Sequence, residues 1–127
     1  VSDAGRIEGW KLDAASRTDL LDRFPPRYAE AVADHVTFKP GPDSAPMPEI
    51  DHCVLVGRAD DGEGVEAMVV TIAGSTDRPD GSTWHITWSL APGRKAVESN
   101  DVIARNGWEE LPGAIRVPLT RSWWPRG

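Results

Sequence analysis

A chain of 127 residues, 39% of them hydrophobic, holds apolar material for one modest core and none for a second, so residues 1–127 are expected to form a single domain. Its formal charge of −6 argues against an extended nucleic-acid surface, because gripping many phosphates needs a broad basic face. A small anionic ligand needs only a few well-placed donors and stays compatible with an acidic chain. No stretch approaches the roughly 20 apolar residues that cross a bilayer, and Val1-Ser2-Asp3-Ala4-Gly5-Arg6 lacks the pattern of a signal peptide. The single Cys53 rules out an internal disulfide. Together these features predict a cytoplasmic protein without a membrane partner; a monomer is favoured, with the oligomeric state left open.

In chain order, residues 7–12 read as a first strand, and Asp13 as the cap of a helix running through Leu20, Leu21 and Phe24 to the stop at Pro25-Pro26. Tyr28 and Val32, four apart, predict a second short helix, and residues 34–39 a strand. Residues 39–48 hold four prolines and read as a semi-rigid loop. Residues 53–59 and 65–73 are apolar, β-branched runs around the turn sequence Asp60-Asp61-Gly62-Glu63-Gly64, which predicts a hairpin. A polar loop over 74–83 leads into an aromatic strand at 84–90. Ser99 or Asn100 is then expected to cap a helix ending near Gly107, and residues 114–119 form the last strand. The fold expected is a compact α+β domain, a mainly antiparallel sheet with two or three short helices.

Two of the three histidines begin the same pattern, His35-Val36-Thr37 and His85-Ile86-Thr87. Residues two apart on a strand share a face, so each histidine projects beside its threonine. Extended by the same parity, the polar faces become His35/Thr37/Lys39 and His85/Thr87/Ser89, backed by Val36 and Phe38 on one strand and Trp84, Ile86 and Trp88 on the other. Two imidazoles suit a phosphoryl transfer in which one removes a proton from the attacking oxygen and the other protonates the departing one. The threonine hydroxyls and Lys39 would donate to the non-bridging oxygens. This scheme needs neither metal nor cofactor.

Both motifs continue with an aromatic residue, HVTF over 35–38 and HITW over 85–88, and so the chain resembles the two-histidine (2H) phosphoesterase superfamily. The resemblance implies a groove between two pseudo-symmetric lobes and a cyclic phosphodiesterase in RNA processing or repair, with His35, Thr37, His85 and Thr87 as its catalytic residues. The implied substrate is a nucleotide or RNA terminus bearing a 2′,3′-cyclic phosphate. The chain is shorter than two-lobed members, which leaves the substrate's size open. A non-catalytic module binding a nucleotide or RNA end on the same fold is the alternative.

Further substrate contacts are expected from Lys39, Ser89, Lys11, Tyr28 and Trp10. Arg94 and Lys95 stand in a turn after the second motif as candidate phosphate contacts; Trp10, Tyr28 and Trp108 could line a groove, and Trp123-Trp124 are either packed against the sheet or part of a contact surface. A zinc site joining His52 and Cys53 to the two motif histidines is the rival chemistry, but adjacent strand residues point to opposite faces. A buried thiol at Cys53 fits better.

Overall fold

The computed structural model describes residues 6–39 and 46–125. In order the elements are β1 (Arg6–Leu12), α1 (Ala14–Arg23), β2 (Glu30–Ala31), β3 (His35–Thr37), β4 (His52–Asp60), β5 (Val65–Thr71), β6 (His85–Leu90), α2 (Glu98–Asn106) and β7 (Glu109–Pro125). The strands run β6-β3-β1-β7-β4-β5 and return to β6, every neighbour antiparallel, so six strands close into a barrel. This overturns the expected compact α+β domain with its two or three short helices and pseudo-symmetric groove: the described residues form a mostly β, closed antiparallel barrel with two helices. The cause lies in β6, which has a partner on each edge: β5 along one and the segment carrying β2 and β3 along the other. No helix among the described residues is long and apolar enough to cross a membrane.

Several local expectations also change. Asp13 does cap α1, its Oδ2 accepting from the Ser16 N–H at 3.1 Å. Tyr28 and Val32 lie outside any helix; Glu30–Ala31 pairs with Leu90 and Ser89 instead, and the Val32 N–H donates to the Trp88 carbonyl. Helix α2 begins before Ser99 and Asn100, with Val97 at its N-cap and no side-chain cap; Gly107 ends it at φ 69°. The proline-rich stretch at 39–48 falls mostly outside the described residues.

β7 is 17 residues long, far beyond the expected 114–119. Its first part pairs with β4 and its last seven residues with β1. Pro112 and Gly113 hide its start, yet they do not break the ladder. Pairing with β4 jumps from Leu55↔Ile115 to Gly57↔Glu110, so the proline sits in a bulge where no ladder hydrogen bond is required of it.

Two apolar clusters hold the barrel. The interior packs Trp10, Val36, Leu55, Met68, Ile86 and Trp88, all fully buried, among others. Outside, Ala67, Val69 and Val65 lie with Val102 and Ile103 of α2. Trp84, Ile86 and Trp88 join the interior, as their parity predicts.

One end of the barrel contains a buried carboxylate, Glu66. Its Oε1 accepts from the Ser89 hydroxyl at 2.7 Å and the Arg27 N–H at 3.1 Å, and its Oε2 from Arg58 Nε at 2.7 Å. Removing one partner of a buried ionic network strands the others without solvent. Glu66→Ala is therefore expected to cost about 3–5 kcal/mol in urea denaturation; a loss near zero would mean that Arg58 and Ser89 find water instead.

Candidate active site

The two motif strands are neighbours, joined by the rung Val36↔Ile86. Val36 and Ile86 point into the core, so the residues flanking them point out of the barrel onto one surface. Antiparallel register then sets His35 on the Thr87 side and Thr37 on the His85 side, four functional groups in a patch two strands wide. Cross-strand and diagonal neighbours in such a patch have Cβ atoms roughly 5–8 Å apart. All four side chains line one groove of about 910 Å³. Its walls are the start of α2 (Lys95, Ala96, Val97, Asn100), the loop bearing Arg78 and Asp80, and an apolar side of Ile7, Phe38, Trp124 and Pro125.

Bulges decide which side chains reach this surface. The segment from β2 to β3 runs along β6, but its register slips by two residues between Ala31↔Ser89 and Val36↔Ile86, around Ala33 at φ 40°. In β6 the pairing with β5 goes from Glu66↔Ser89 to Ala67↔Thr87, leaving Trp88 as an extra residue. That extra residue reverses the parity beyond it. Ser89 therefore lies opposite Glu66, within the buried ionic network, and not beside Thr87 as strict alternation predicts.

The histidines have different partners. His85 is 8% exposed, and its Nδ1 lies 2.8 Å from the Thr83 carbonyl oxygen. A carbonyl can only accept, so Nδ1 carries the proton and Nε2 holds the lone pair in the neutral ring. Burial pushes the His85 pKa down to about 4; the Thr83 carbonyl opposes this, and the charges of Arg78, His35 and Lys39 add to it. His35 is half-buried, with Nδ1 3.0 Å from Asp34 Oδ2. Burial works to raise the Asp34 pKa, but hydrogen bonds from His35 and Lys11 outweigh it and the carboxyl stays below its ordinary value. Asp34 is thus an anion holding one side of the His35 ring.

Trp124 covers that ring, with centroids 4.3 Å apart. Gly9 makes this possible: a Cβ there would stand 2.9 Å from Trp124 Cη2 and 2.1 Å from the Val36 carbonyl oxygen. Thr87 is committed to α2, its Oγ1 lying 3.0 Å from Ser99 Oγ and 3.4 Å from the Ala96 carbonyl oxygen. The Thr37 hydroxyl has no protein partner among the described residues.

Of the five further substrate contacts Lys39, Ser89, Lys11, Tyr28 and Trp10, Lys39 alone lines the groove. Lys11 sits behind it, 3.1 Å from Asp34 and with Nζ 5.5 Å from the Trp124 ring centroid, supporting His35 rather than facing a ligand. Tyr28 donates from its hydroxyl to Asp60 at 2.6 Å and from its N–H to Ser89, at the Glu66 end of the barrel. Trp10 is buried in the core and borders a different cavity. Lys95 lines the groove, whereas Arg94 ties the 61–63 turn to Glu98. His52 pairs with Asp51 beside the Trp10 cavity, and Cys53 is buried, its thiol pushed up to about 12. Among the described residues no three of His, Cys, Asp and Glu gather as a metal set.

Asp34, Arg78 and Trp124 were not singled out in the sequence for the places they hold. Asp34 had a signal, as the immediate neighbour of a motif histidine. Trp124 needed the full length of β7, and Arg78 lies in a loop without periodicity. No family model, no curated protein and no solved structure matches the chain.

The depressed pKa of His85 makes folding pH-dependent. The unfolded chain takes up this proton near 6.5, where the folded protein does not. Stability is complete above that value and falls as pH drops from it toward 4, by about 3 kcal/mol in all. Urea denaturation of wild type and His85→Gln across this window should show the loss in wild type and a shallower slope in the variant; equal slopes would refute the assignment.

Proposed function

We propose that the groove hydrolyses a phosphodiester, and that its substrate is a 2′,3′-cyclic phosphate on a nucleotide or RNA end. The observation that carries this reading is the Val36↔Ile86 rung, which sets two imidazoles and two threonines on one face, lining one groove. The resemblance of HVTF and HITW to the 2H phosphoesterases supplies the substrate class. An aromatic and apolar wall on one side of the patch suits a nucleoside, since bases and ribose present flat apolar faces.

The unequal partners of the histidines divide the labour. His85 Nε2, unprotonated at neutral pH, takes a proton from water as the oxygen attacks phosphorus. His35, its Nδ1 held by Asp34, gives its Nε2 proton to the ribose oxygen that departs. One P–O bond forms and one breaks, the ring opens to a monoester, and the histidines exchange charge states. Thr37 donates to a non-bridging oxygen, with Lys39 adding positive charge. Thr87, engaged by Ser99 and Ala96, anchors the start of α2 against the patch.

Release of monoester from 2′,3′-cyclic nucleotides in the presence of EDTA tests the reading. His35→Ala and His85→Ala should each lose about 10²–10⁴-fold in kcat. In wild type the acidic limb of kcat/KM should follow His85, activity rising with pH through about 4. Binding without turnover on every cyclic nucleotide and cyclic-phosphate-ended oligonucleotide would make the protein a binding module, and inhibition by EDTA would return metal chemistry to consideration.

A further inference from the structure

The acid–base scheme makes no use of Arg78, a buried cation in the groove wall. Its side chain is 2% exposed, yet the residue lines the groove. Nε donates to Ser82 Oγ at 2.7 Å and to Asp80 Oδ1 at 3.1 Å, Nη1 to the Thr37 carbonyl at 3.3 Å, and Nη2 to Asn100 Oδ1 at 2.7 Å. One guanidinium thus joins the end of β3, the 78–82 loop and α2. A guanidinium has five N–H groups. These contacts use the Nε–H and one on each terminal nitrogen, which leaves one N–H on each of Nη1 and Nη2 without a protein acceptor among the described residues.

The charge is also incompletely matched. Asp80 is the one carboxylate paired with it among the described residues, and that carboxylate also accepts from the Ser82 N–H and hydroxyl. Burial lowers the Arg78 pKa by more than Asp80 restores. A buried cation in this condition gains from any anion that reaches it. The place such an anion would occupy lies beside Thr37 and within the electrostatic reach of His85.

We propose that Arg78 is a phosphate-binding residue of the groove, its two uncommitted N–H groups taking non-bridging oxygens of a phosphoryl group seated over the His35–His85 patch. Ser82, Asp80 and Asn100 hold the planar fork in advance, so little side-chain freedom is lost on binding. Lys39 is exposed and supplies only a point charge. Phosphate binding at Arg78 does not depend on the diesterase reading; a contribution of Arg78 to rate does.

Two measurements separate these levels. Wild-type protein carrying ¹⁵N-labelled arginine is titrated with inorganic phosphate, and the Arg78 Nε–H signal, identified by its loss in Arg78→Lys, should move and saturate. A signal that does not move overturns the proposal. On cyclic nucleotides, Arg78→Met should lose about 10²–10³-fold in kcat and Arg78→Lys clearly less. Removing the cation should also carry the His85-dependent acidic limb toward higher pH in Arg78→Met, a shift that simple loosening of the wall would not produce. A folded Arg78→Met within about threefold of wild type, with the limb unmoved, refutes the role while leaving the diesterase reading intact. A saturating phosphate shift in a wild type that opens no cyclic phosphate keeps the Arg78 site and removes the diesterase reading.

Discussion

The pairing of Val36 with Ile86 is the contact on which the rest of the structure depends. It is one rung, made by two fully buried aliphatic side chains, and it joins β3 to β6 to complete the barrel. The same rung decides what the outer surface carries. Because both residues point inward, their four polar neighbours must point outward together. Core packing and the gathering of the site are consequences of one register.

The groove is built by elements with quite different sequence separations. β1 leaves room at Gly9 for Trp124, which β7 sends over the His35 ring, α2 closes the other side, and the 78–82 loop adds a buried cation. Its two histidines share a residue type but not an environment. His85 is dry and hydrogen-bonded to a carbonyl, whereas His35 is wetter and held by a carboxylate that Lys11 also holds. Symmetric motifs therefore sit in an asymmetric enclosure, and the proposed division of acid from base rests on that difference.

Parity reasoning worked where strands were regular and failed where they bulged. His35/Thr37 and His85/Thr87 each span three residues with no insertion, and alternation alone was enough to align them on one face. Ser89 lies one residue past the extra Trp88, and nothing in the local alternation announces that insertion. Tyr28 misled because a four-residue spacing is also found in irregular chain; Pro25 and Pro26 just before it left no backbone pattern to propagate. The closure of the sheet was hidden for a related reason: the long β7 contains prolines and polar residues that ordinarily mark loops, and its bulge makes Pro112 tolerable. Separate strands were legible, but which edges would meet was not.

Closure carries a further consequence for how such a surface could change over time. In an open sheet, an inserted or deleted residue can slide an edge strand and leave its neighbours alone. A closed barrel has no edge to absorb the step, and its stagger can take only whole-number values. The bulges at Ala33 and Trp88 behave like phase adjustments in such a ring, each correcting the alignment of one arc so that the next can join. Substitutions can alter the groove one side chain at a time, whereas changes in strand length must arrive in compensating pairs.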